Sequence, residues 1–296
     1  GEVVLADKKT LRTHQKEALR DVRAGLTEAD RGKMIMACGT GKTFTSLKIA
    51  EDLAGQGKLV LFLVPSLALM AQTVREWTGD TATPLRSFAV CSDTQVGKRR
   101  ASNNDIAEID ILDLAFPAST DAAKLAEGVN HPAPDKMTVV FATYQSIQVI
   151  ADAQKQHDFP EFDLIICDEA HRTTGATLAG DDESNFVKVH DNDVIQGKKR
   201  LYMTATPRIF GDNVKAKADE ADAVLASMDD EDLFGKTLFY RGFSWAVQNN
   251  LLTDYKVIVL AMDEGLISTG VQKRLADSAS ELVLDDATKI VGCYKA

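Results

Sequence analysis

The residues best suited to chemistry begin with MACGTGKT, Met36 to Thr43, between an apolar run and a helix-like segment. A loop in this position can surround phosphate groups, because its backbone N–H groups and the positive end of the following helix face them. Gly39 and Gly41 let the backbone bend and approach a phosphate without a Cβ. Lys42 would reach the β and γ phosphates, and the Thr43 hydroxyl would bind Mg²⁺. The stretch predicts a nucleotide site; the alternative is a glycine turn with an incidental lysine.

A pair of acids forms the second candidate group. Asp168 and Glu169 follow the apolar run FDLIIC directly. Because an open α/β sheet presents ligands at the carboxyl ends of its strands, this position suits a catalytic role. One carboxylate can hold Mg²⁺ while the next activates the attacking water, and a hydrolase needs both groups close together. Adjacent acids after a strand also occur by chance, so the pair gains weight from its order behind the glycine-rich stretch.

Composition limits the class of protein. A chain of 296 residues with 45% hydrophobic content can bury a full core. The net charge of -10 argues against nucleic-acid binding through a general basic surface, but it is compatible with a narrow contact track. The four cysteines lie far apart, without CxxC pairs or histidines at ligand spacing, so neither a zinc site nor a disulfide framework is indicated.

The sequence shows no pattern typical of membranes or secretion. No apolar stretch reaches the roughly 18 residues of a membrane span, and GEVVLADKKT lacks the basic-then-apolar pattern of a secretory signal. We therefore expect a cytoplasmic protein without membrane contact. The short basic runs at 98–100 and 198–200 are expected to be solvated loop ends.

Short apolar runs recur along the chain and predict its architecture. They include GKMIMA, KLVLFLV, SFAVCS, MTVVFAT, FDLIICD and RLYMTAT. Runs this apolar predict strands covered on both faces, as in the parallel sheet of an α/β domain. TFTSLKIAEDLAG and SLALMAQTVREW have apolar residues at helical spacing and predict crossover helices, with Met70, Val74 and Trp77 facing the core.

Other segments interrupt this rhythm. The regions at about 92–136 and 173–198 are polar and predict insertions. The stretch from Thr206 to Gly235 is charged and helix-prone, and YKVIVLAMD predicts a strand. ATKIVGCYKA stops within a helix-like pattern without a cap, which predicts a chain cut from something longer.

In their order, ACGTGKT, DEAH and TATP (Thr204 to Pro207) resemble motifs I, II and III of a superfamily 2 helicase or translocase, in its first RecA-like domain. LRTHQKEAL resembles the adenine-reading Q motif, VPSLALMAQ resembles motif Ia, and FATYQSI resembles motif Ib. MATGTGKT is common in the motors of restriction enzymes, which accounts for Met36 and leaves Cys38 unexplained. Longer fragments, such as SMDDEDLFGKTLFYRGFSWAVQNNLLTDYKV, resemble the motor of single-polypeptide type ISP restriction-modification enzymes and related predicted helicases.

This resemblance implies an α/β, RecA-like P-loop NTPase domain with a mainly parallel sheet flanked by helices, which binds ATP and Mg²⁺. The implied nucleotide-binding residues are Gln15, Gly39, Thr40, Gly41, Lys42 and Thr43. Gln15 would read the adenine edge, because an amide can pair with N6 and N7 together; the alternative is a surface glutamine. The metal would lie at Thr43 and Asp168.

The resemblance also implies how the site works. Glu169 would act as the water-activating base, with Lys42, Asp168 and His171 completing the catalytic set. His171 would link the ATP site to Thr204 and Thr206 through hydrogen bonds rather than do chemistry itself. The alternative for His171 is a core histidine whose loss would affect folding.

The nucleic-acid contacts implied by the resemblance lie in the loops of motifs Ia and Ib. Ser66 and Thr143 would contact backbone phosphates through their hydroxyls, although a serine after Pro65 could equally cap a helix. Such contacts carry no sequence information. They suit a motor that steps along any double-stranded DNA sequence, and they are compatible with an acidic overall charge.

The implied domain organisation is a first RecA-like ATPase domain over 1–253, with the two insertions, followed over 254–296 by a linker and the start of a truncated second RecA-like domain. In this family the second domain supplies the arginine finger, so the fragment alone is expected to bind ATP weakly and turn it over slowly. Nuclease and methyltransferase domains are expected elsewhere in the parent polypeptide.

The leading hypothesis is therefore the ATPase motor of a double-stranded DNA translocase in a restriction-modification enzyme. A strand-separating DNA or RNA helicase is the main alternative. A scaffold that binds nucleotide without hydrolysing it is disfavoured by the complete set of Lys42, Thr43, Asp168 and Glu169. The acid-rich runs DDES and MDDED are expected to be solvated loops or helix starts rather than a nuclease site.

Overall fold

The computed structural model describes residues 8–91, 118–178, 185–215 and 223–253 of the chain. The chain divides after Leu252 into two compact units, and the described residues belong to the first, apart from Thr253. Most of the first predicted insertion, the DDES run, the YKVIVLAMD segment and the predicted second domain lie outside the described residues. The domain boundary at 253 stays a prediction.

Strands and helices alternate along the chain in the way the apolar runs predict. The helices include α1 (Thr13–Glu28), α2 (Lys42–Leu53), α3 (Leu67–Asp80), α4 (Ala122–Asn130), α5 (Ile147–Gln156), α6 (Glu231–Phe234) and α7 (Phe243–Gln248). The strands are β1 (Arg31–Met36), β2 (Leu59–Val64), β3 (Leu85–Val90), β4 (Ala118–Ser119), β5 (Met137–Thr143), β6 (Leu164–Cys167), β7 (Gly175–Leu178), β8 (Arg200–Thr204), β9 (Ala223–Ala226) and β10 (Lys236–Arg241). Each strand predicted from an apolar run within the described residues is present.

Eight strands form one sheet in the order β10-β1-β8-β6-β2-β5-β3-β4, and all its pairs are parallel. Strands β2 and β5 are buried along their whole length because helices cover both faces of the sheet. The antiparallel pair of β7 and β9 lies outside this sheet. The predicted RecA-like α/β fold, a mainly parallel sheet flanked by helices, is confirmed.

The hydrophobic core divides into two clusters of buried side chains. In the first cluster Trp77 packs edge-on against Phe62 and Phe141, with ring centroids 5.1 and 5.6 Å apart. Met70 and Val74 are buried beside it, so the predicted stripe of α3 is core packing. These contacts hold α3 on the sheet and so fix the position at which the loop between β2 and α3 ends.

Three features of local structure were not expected from the sequence. The stretch after Thr206, expected to be charged and helix-prone, has helical residues at 212–215 and in the short helix α6, but it also contains strand β9. Within the first predicted insertion, α4 is a regular helix and β4 pairs with β3, so its described part extends the sheet. Strand β10, which no apolar run predicts, pairs with β1 at the edge of the sheet, where only half of its side chains are covered.

The basic run at 198–200 is also different from the expectation. Lys198 is exposed and pairs with Asp163, but Arg200 is only 1% exposed. The Arg200 guanidinium donates to backbone carbonyls of Val189, Ile195 and Gly197 and to the Asn192 side chain. Arg200 therefore holds the 189–197 segment against the sheet, because each of these carbonyls would otherwise be buried without a partner.

Candidate nucleotide site

Three segments with chemical potential meet at one edge of the sheet. Strand β8 lies between β1 and β6, and all three run in the same direction. Their carboxyl ends, at Met36, Thr204 and Cys167, therefore reach the same edge. The glycine-rich loop follows β1 and the acid pair follows β6. TATP begins at the end of β8, which lies between these two strands in the sheet.

The glycine-rich loop has the backbone that a phosphate site requires. Gly39 and Gly41 adopt φ of 76° and 88°, a left-handed conformation that side chains with a Cβ rarely tolerate. A Cβ added to Gly41 would lie 2.4 Å from Nε2 of Gln15, so this position also lacks room for a side chain. Helix α2 begins at Lys42, and the N–H groups of its first turn have no partner within the helix. These groups are free to face an anion.

Helix α1 holds the loop from behind through two side chains. Gln15 accepts a hydrogen bond from the Arg12 N–H (2.9 Å) and donates to the carbonyls of Thr40 (3.4 Å) and Gly41 (3.3 Å). His14 makes a second contact, with Nε2 3.0 Å from the Thr40 carbonyl oxygen. Both side chains are buried. Gln15 thus contacts the loop itself, and its role toward adenine stays a prediction.

A cavity of about 330 Å³ opens beside these residues. Gln15, Gly39, Gly41 and Phe44 contribute to its wall, so a base could lie here while its phosphates follow the loop. A larger cavity, about 550 Å³, lies at the amino end of the sheet between Gly57, Arg86 and Lys198. The larger cavity is far from the acid pair along the strands, and its cations are already paired, so the smaller one is the candidate nucleotide pocket.

The acid pair combines a strained backbone with two adjacent carboxylates, of which Asp168 is buried. Burial and, to a smaller extent, the adjacent Glu169 charge raise the pKa of Asp168 to about 6, against the lowering effect of the nearby Lys42 charge. Asp168 is 7% exposed, and its Oδ1 accepts a hydrogen bond from the Glu169 N–H (2.9 Å). Glu169 has φ of 49°, which is unfavourable for a residue with a side chain. Lys42 and Asp168 thus lie at the same site, as the nucleotide hypothesis requires.

His171 connects the acid pair to the TATP segment. Its Nδ1 lies 2.9 Å from the Thr204 hydroxyl and 3.4 Å from a Glu169 carboxylate oxygen. Thr204 in turn accepts a hydrogen bond from the Thr206 N–H (3.1 Å). Burial lowers the pKa of His171, against the raising effect of the Glu169 charge and with help from nearby positive charges, which favours the neutral ring. The predicted link exists as a set of hydrogen bonds, and its coupling role stays a prediction.

The residues present fit a magnesium-bound triphosphate. Asp168 offers a carboxylate whose pKa is raised by burial and by the adjacent Glu169 charge, so that a bound cation would stabilise its charged form, and Thr43 offers a partly exposed hydroxyl at the start of α2. Mg²⁺ usually takes one or two protein ligands and completes its shell with phosphates and water. The described part of the chain contains no cluster of three or more His, Cys, Asp or Glu that could hold a metal by itself.

The two predicted nucleic-acid contacts have different outcomes. Ser66 is the N-cap of α3, and its hydroxyl accepts a hydrogen bond from the Leu69 N–H (3.4 Å). Ser66 is partly exposed, so the hydroxyl proton can still be donated to another group. Thr143 is fully buried, and its hydroxyl lies 2.7 Å from that of Ser146. The prediction that the Thr143 hydroxyl contacts phosphate is wrong, because the end of β5 turns this side chain inward.

The fold and the shared sheet edge define a helicase-type motor domain. Residues 8–209 match the family described as "Type III restriction enzyme, res subunit", and the chain belongs to this family. No helix among the described residues has the length and apolar character needed to cross a membrane.

Two solved structures of type ISP restriction-modification enzymes are similar to this chain. LlaBIII bound to DNA is 44% identical with a TM-score of 0.70, over 99% of this chain and 19% of that one. A nuclease-deletion mutant of LlaGI in complex with a DNA substrate mimic is 42% identical with a TM-score of 0.61, over 82% of this chain and 21% of that one. The predicted relation to type ISP motors is confirmed.

A curated relative has a more general name. A "Probable helicase" of African swine fever virus is 30% identical over 258 residues, which is 84% of this chain and 24% of the relative. The chain thus spans about a quarter of the length of the curated relatives it matches and about a fifth of the type ISP chains.

Proposed function

We propose that this domain is the ATP-dependent motor of a translocase that moves along double-stranded DNA as part of a restriction-modification enzyme. The observation that supports it most directly is the meeting of Lys42 with Asp168 and Glu169 at one sheet edge, beside a glycine loop and a helix start. The likeness to LlaBIII, a structure described as ATP-dependent and bound to DNA, supports the finer assignment. Nuclease, methyltransferase and second RecA-like domains belong to the same parent polypeptide in this proposal.

Each residue has a defined task in hydrolysis. The loop N–H groups and Lys42 bind and orient the phosphates, and Thr43 with Asp168 would hold Mg²⁺, which supplies positive charge against the phosphate oxygens. Glu169 orients the attacking water and accepts its proton. His171 contacts both Glu169 and Thr204, the last residue of β8, and so couples the position of the Glu169 carboxylate to that strand.

DNA binding in this proposal uses the phosphate backbone. Ser66 and the N–H groups at the start of α3 face a phosphate in the motif Ia loop, where the positive end of a helix favours an anion. Such a contact is independent of sequence, which a translocating motor needs. It also allows DNA binding by a chain whose net charge is -10.

The decisive experiment measures ATP hydrolysis by the intact protein with and without duplex DNA. We expect DNA to stimulate the wild-type rate, and Glu169→Gln to lower turnover by about 10³-fold while nucleotide binding is retained. Glu161→Gln, a change of an exposed acid at the opposite end of the sheet, is the matched control and should behave as wild type. A wild-type protein that binds ATP but hydrolyses none would support the non-hydrolysing scaffold instead.

Strand separation is the second candidate, and the helicase name of the viral relatives favours it. Stimulation of the ATPase by duplex DNA, single-stranded DNA and RNA, measured side by side, separates the two functions. A translocase should respond best to duplex and displace a triplex-forming strand with a delay that grows with distance. Stimulation by single strands, with duplex unwinding, would favour the helicase.

A further inference from the structure

Tyr144 touches the acid pair from a part of the chain that the proposed mechanism does not use. It is the first residue after β5, and its side chain is fully buried. The Tyr144 hydroxyl donates a hydrogen bond of 2.8 Å to the backbone carbonyl of Asp168. The turn that was expected to contact nucleic acid thus reaches the candidate catalytic residues with its aromatic side chain.

The bonded carbonyl belongs to the peptide group that joins Asp168 to Glu169. The N–H of the same group donates to the Asp168 carboxylate at 2.9 Å, so this one peptide plane is held at both ends. A peptide group is rigid, so fixing its carbonyl and its N–H sets the direction in which the Glu169 backbone leaves. Glu169 then adopts its left-handed φ of 49°, a conformation that persists only where neighbouring groups enforce it.

The tyrosine ring is itself fixed. It stacks on Phe186 with ring centroids 5.2 Å apart and an interplanar angle of 27°. The neighbouring Asn185 donates to the Gln145 carbonyl at 3.2 Å, which ties the 185–186 segment to the same turn. The hydroxyl therefore has a defined position from which to hold the peptide.

We infer that Tyr144 is a positioning residue that holds the Asp168–Glu169 peptide so that Glu169 faces the attacking water. This inference rests on the proposed ATPase function. It assigns to the motif Ib turn a task inside the nucleotide site, distinct from phosphate contact. Loss of the hydroxyl frees the carbonyl end of the peptide plane, and the Glu169 carboxylate then samples orientations away from the water.

The test compares Tyr144→Phe with Tyr202→Phe in the intact protein. Both tyrosines are fully buried in the same core cluster, but the Tyr202 hydroxyl lies 2.9 Å from Nδ1 of His190 and, within the described residues, makes no hydrogen bond to the Asp168–Glu169 peptide. We expect Tyr144→Phe to lower kcat for DNA-stimulated ATP hydrolysis by about tenfold, with nucleotide affinity unchanged. Tyr202→Phe should lower thermal stability to a similar extent and leave kcat unchanged.

A double-mutant cycle with Glu169→Gln identifies the route of the effect. If Tyr144 acts through Glu169, adding Tyr144→Phe to that variant should cause no further loss in single-turnover rate, whereas independent effects would multiply. Should Tyr144→Phe fail to fold, Phe186→Leu, which loosens the ring and keeps the hydroxyl, should lower kcat in the same direction. Equal kcat in the wild type and both tyrosine variants would overturn the inference, while an inactive wild type would reject the proposed function instead.

Discussion

The two ends of the parallel sheet treat charge in opposite ways. At the amino end, Asp163 pairs with Lys198 at 2.8 Å and accepts a hydrogen bond from the Leu59 N–H at 3.0 Å. Burial alone would raise the pKa of Asp163, but these bonds lower it below its usual value. At the carboxyl end, two acids stand side by side and the pKa of Asp168 is raised to about 6 by burial and by Glu169. The comparison indicates that the charges at the amino end stabilise the fold, whereas those at the carboxyl end are suited to binding a ligand.

The same contrast holds for the backbone. Arg200 satisfies three carbonyls of the 189–197 segment at the amino end. The carboxyl end contains Gly39, Gly41 and Glu169 with positive φ, together with the start of α2. Backbone strain and unpaired N–H groups are typical of sites that bind ligands. The N–H groups that a ligand will use cannot also form hydrogen bonds within the protein.

Replacement of Asp168 by asparagine should have the largest effect on activity. We expect turnover to fall by about 10³-fold, because the proposed magnesium site would lose its carboxylate. We also expect the ligand-free domain to gain about 1–3 kcal/mol in free energy of unfolding at pH 8. The folded pKa of Asp168 (about 6) lies above the unfolded value, so its charge costs stability above pH 6 and the cost disappears as the pH falls. Urea unfolding and ATPase assays measure the two effects.

Asp163→Asn is the control for this change at the other end of the sheet. Its partners Lys58 and Lys198 lose their carboxylate, so stability should fall while kcat stays at the wild-type value. A lower stability of Asp168→Asn at pH 8, or a lower kcat of Asp163→Asn, would contradict the division between the two ends.

Arg200→Met should have the largest effect on stability. The variant fills similar volume but leaves several buried carbonyls without a donor, so the free energy of unfolding should fall by about 3–5 kcal/mol. Lys198→Met, two residues earlier, removes an exposed ion pair and should cost less than about 1 kcal/mol. Chemical denaturation measures both, and kcat per folded molecule should be unchanged. Equal losses for the two variants would show that Arg200 is not the anchor of the 189–197 segment.

These cases show what the sequence could and could not predict. Buried strands such as β2 and β5 were predictable because their residues are all or mostly apolar, and the order of the motifs predicted that the loop and the acids share an edge. Strand β10 was not, because KTLFYR is half exposed at the sheet edge and lacks an apolar run. Arg200 looked solvated because its carbonyl partners become adjacent only when the 189–197 segment folds back.

The candidate site shows the same limit. Gly39, Lys42 and Asp168 could be chosen from the sequence, because their residue types and their spacing together indicate phosphate and metal chemistry. The bond from Tyr144 to the Asp168 carbonyl could not, because a contact between a side chain and a distant backbone group leaves no spacing pattern. The burial of Thr143 depends on the direction in which β5 ends, which the residue types do not encode.

The pH dependence of stability provides another test of the difference between structural and functional charges, using two histidines. His190 is buried, with Nδ1 2.9 Å from the Tyr202 hydroxyl and Nε2 3.0 Å from the Thr173 carbonyl, and burial lowers its pKa to about 4. His171 at the candidate site is partly exposed. Between pH 6.5 and 4 the unfolded chain binds a proton at His190 that the folded chain does not, so stability is lost as the pH falls through this range. We expect His190 to contribute a loss of about 3 kcal/mol, which opposes the gain that Asp168 contributes over much of the same pH range.

Urea unfolding at pH 7, 5.5 and 4.5, in an Asp168→Asn background that removes the opposing contribution of Asp168, measures this loss. In that background His190→Gln should flatten the dependence and His171→Gln should preserve most of it, whereas in the otherwise wild-type protein His171→Gln should impair turnover. A dependence that survives in His190→Gln and disappears in His171→Gln would reverse the assignment of the structural and functional histidine.

Ser66 should show the smallest effects, and it combines a structural role as a helix cap with a proposed role in DNA binding. Ser66→Ala removes the cap of α3 and should cost about 1 kcal/mol in free energy of unfolding. Ser66→Asp keeps a capping oxygen and should recover that stability, but its charge would repel a nearby phosphate and weaken duplex binding by about three- to tenfold.

Asp121→Ser is the matched control, because Asp121 caps α4 by accepting hydrogen bonds from two backbone N–H groups. Its replacement keeps a capping oxygen away from the proposed DNA track, so duplex affinity should not change. Fluorescence anisotropy with a labelled duplex at two salt concentrations measures the affinity, since loss of a phosphate contact also reduces the salt dependence. Wild-type affinity and salt dependence for Ser66→Asp would leave Ser66 as a helix cap only, and the motif Ia loop would then have to bind DNA through backbone N–H groups.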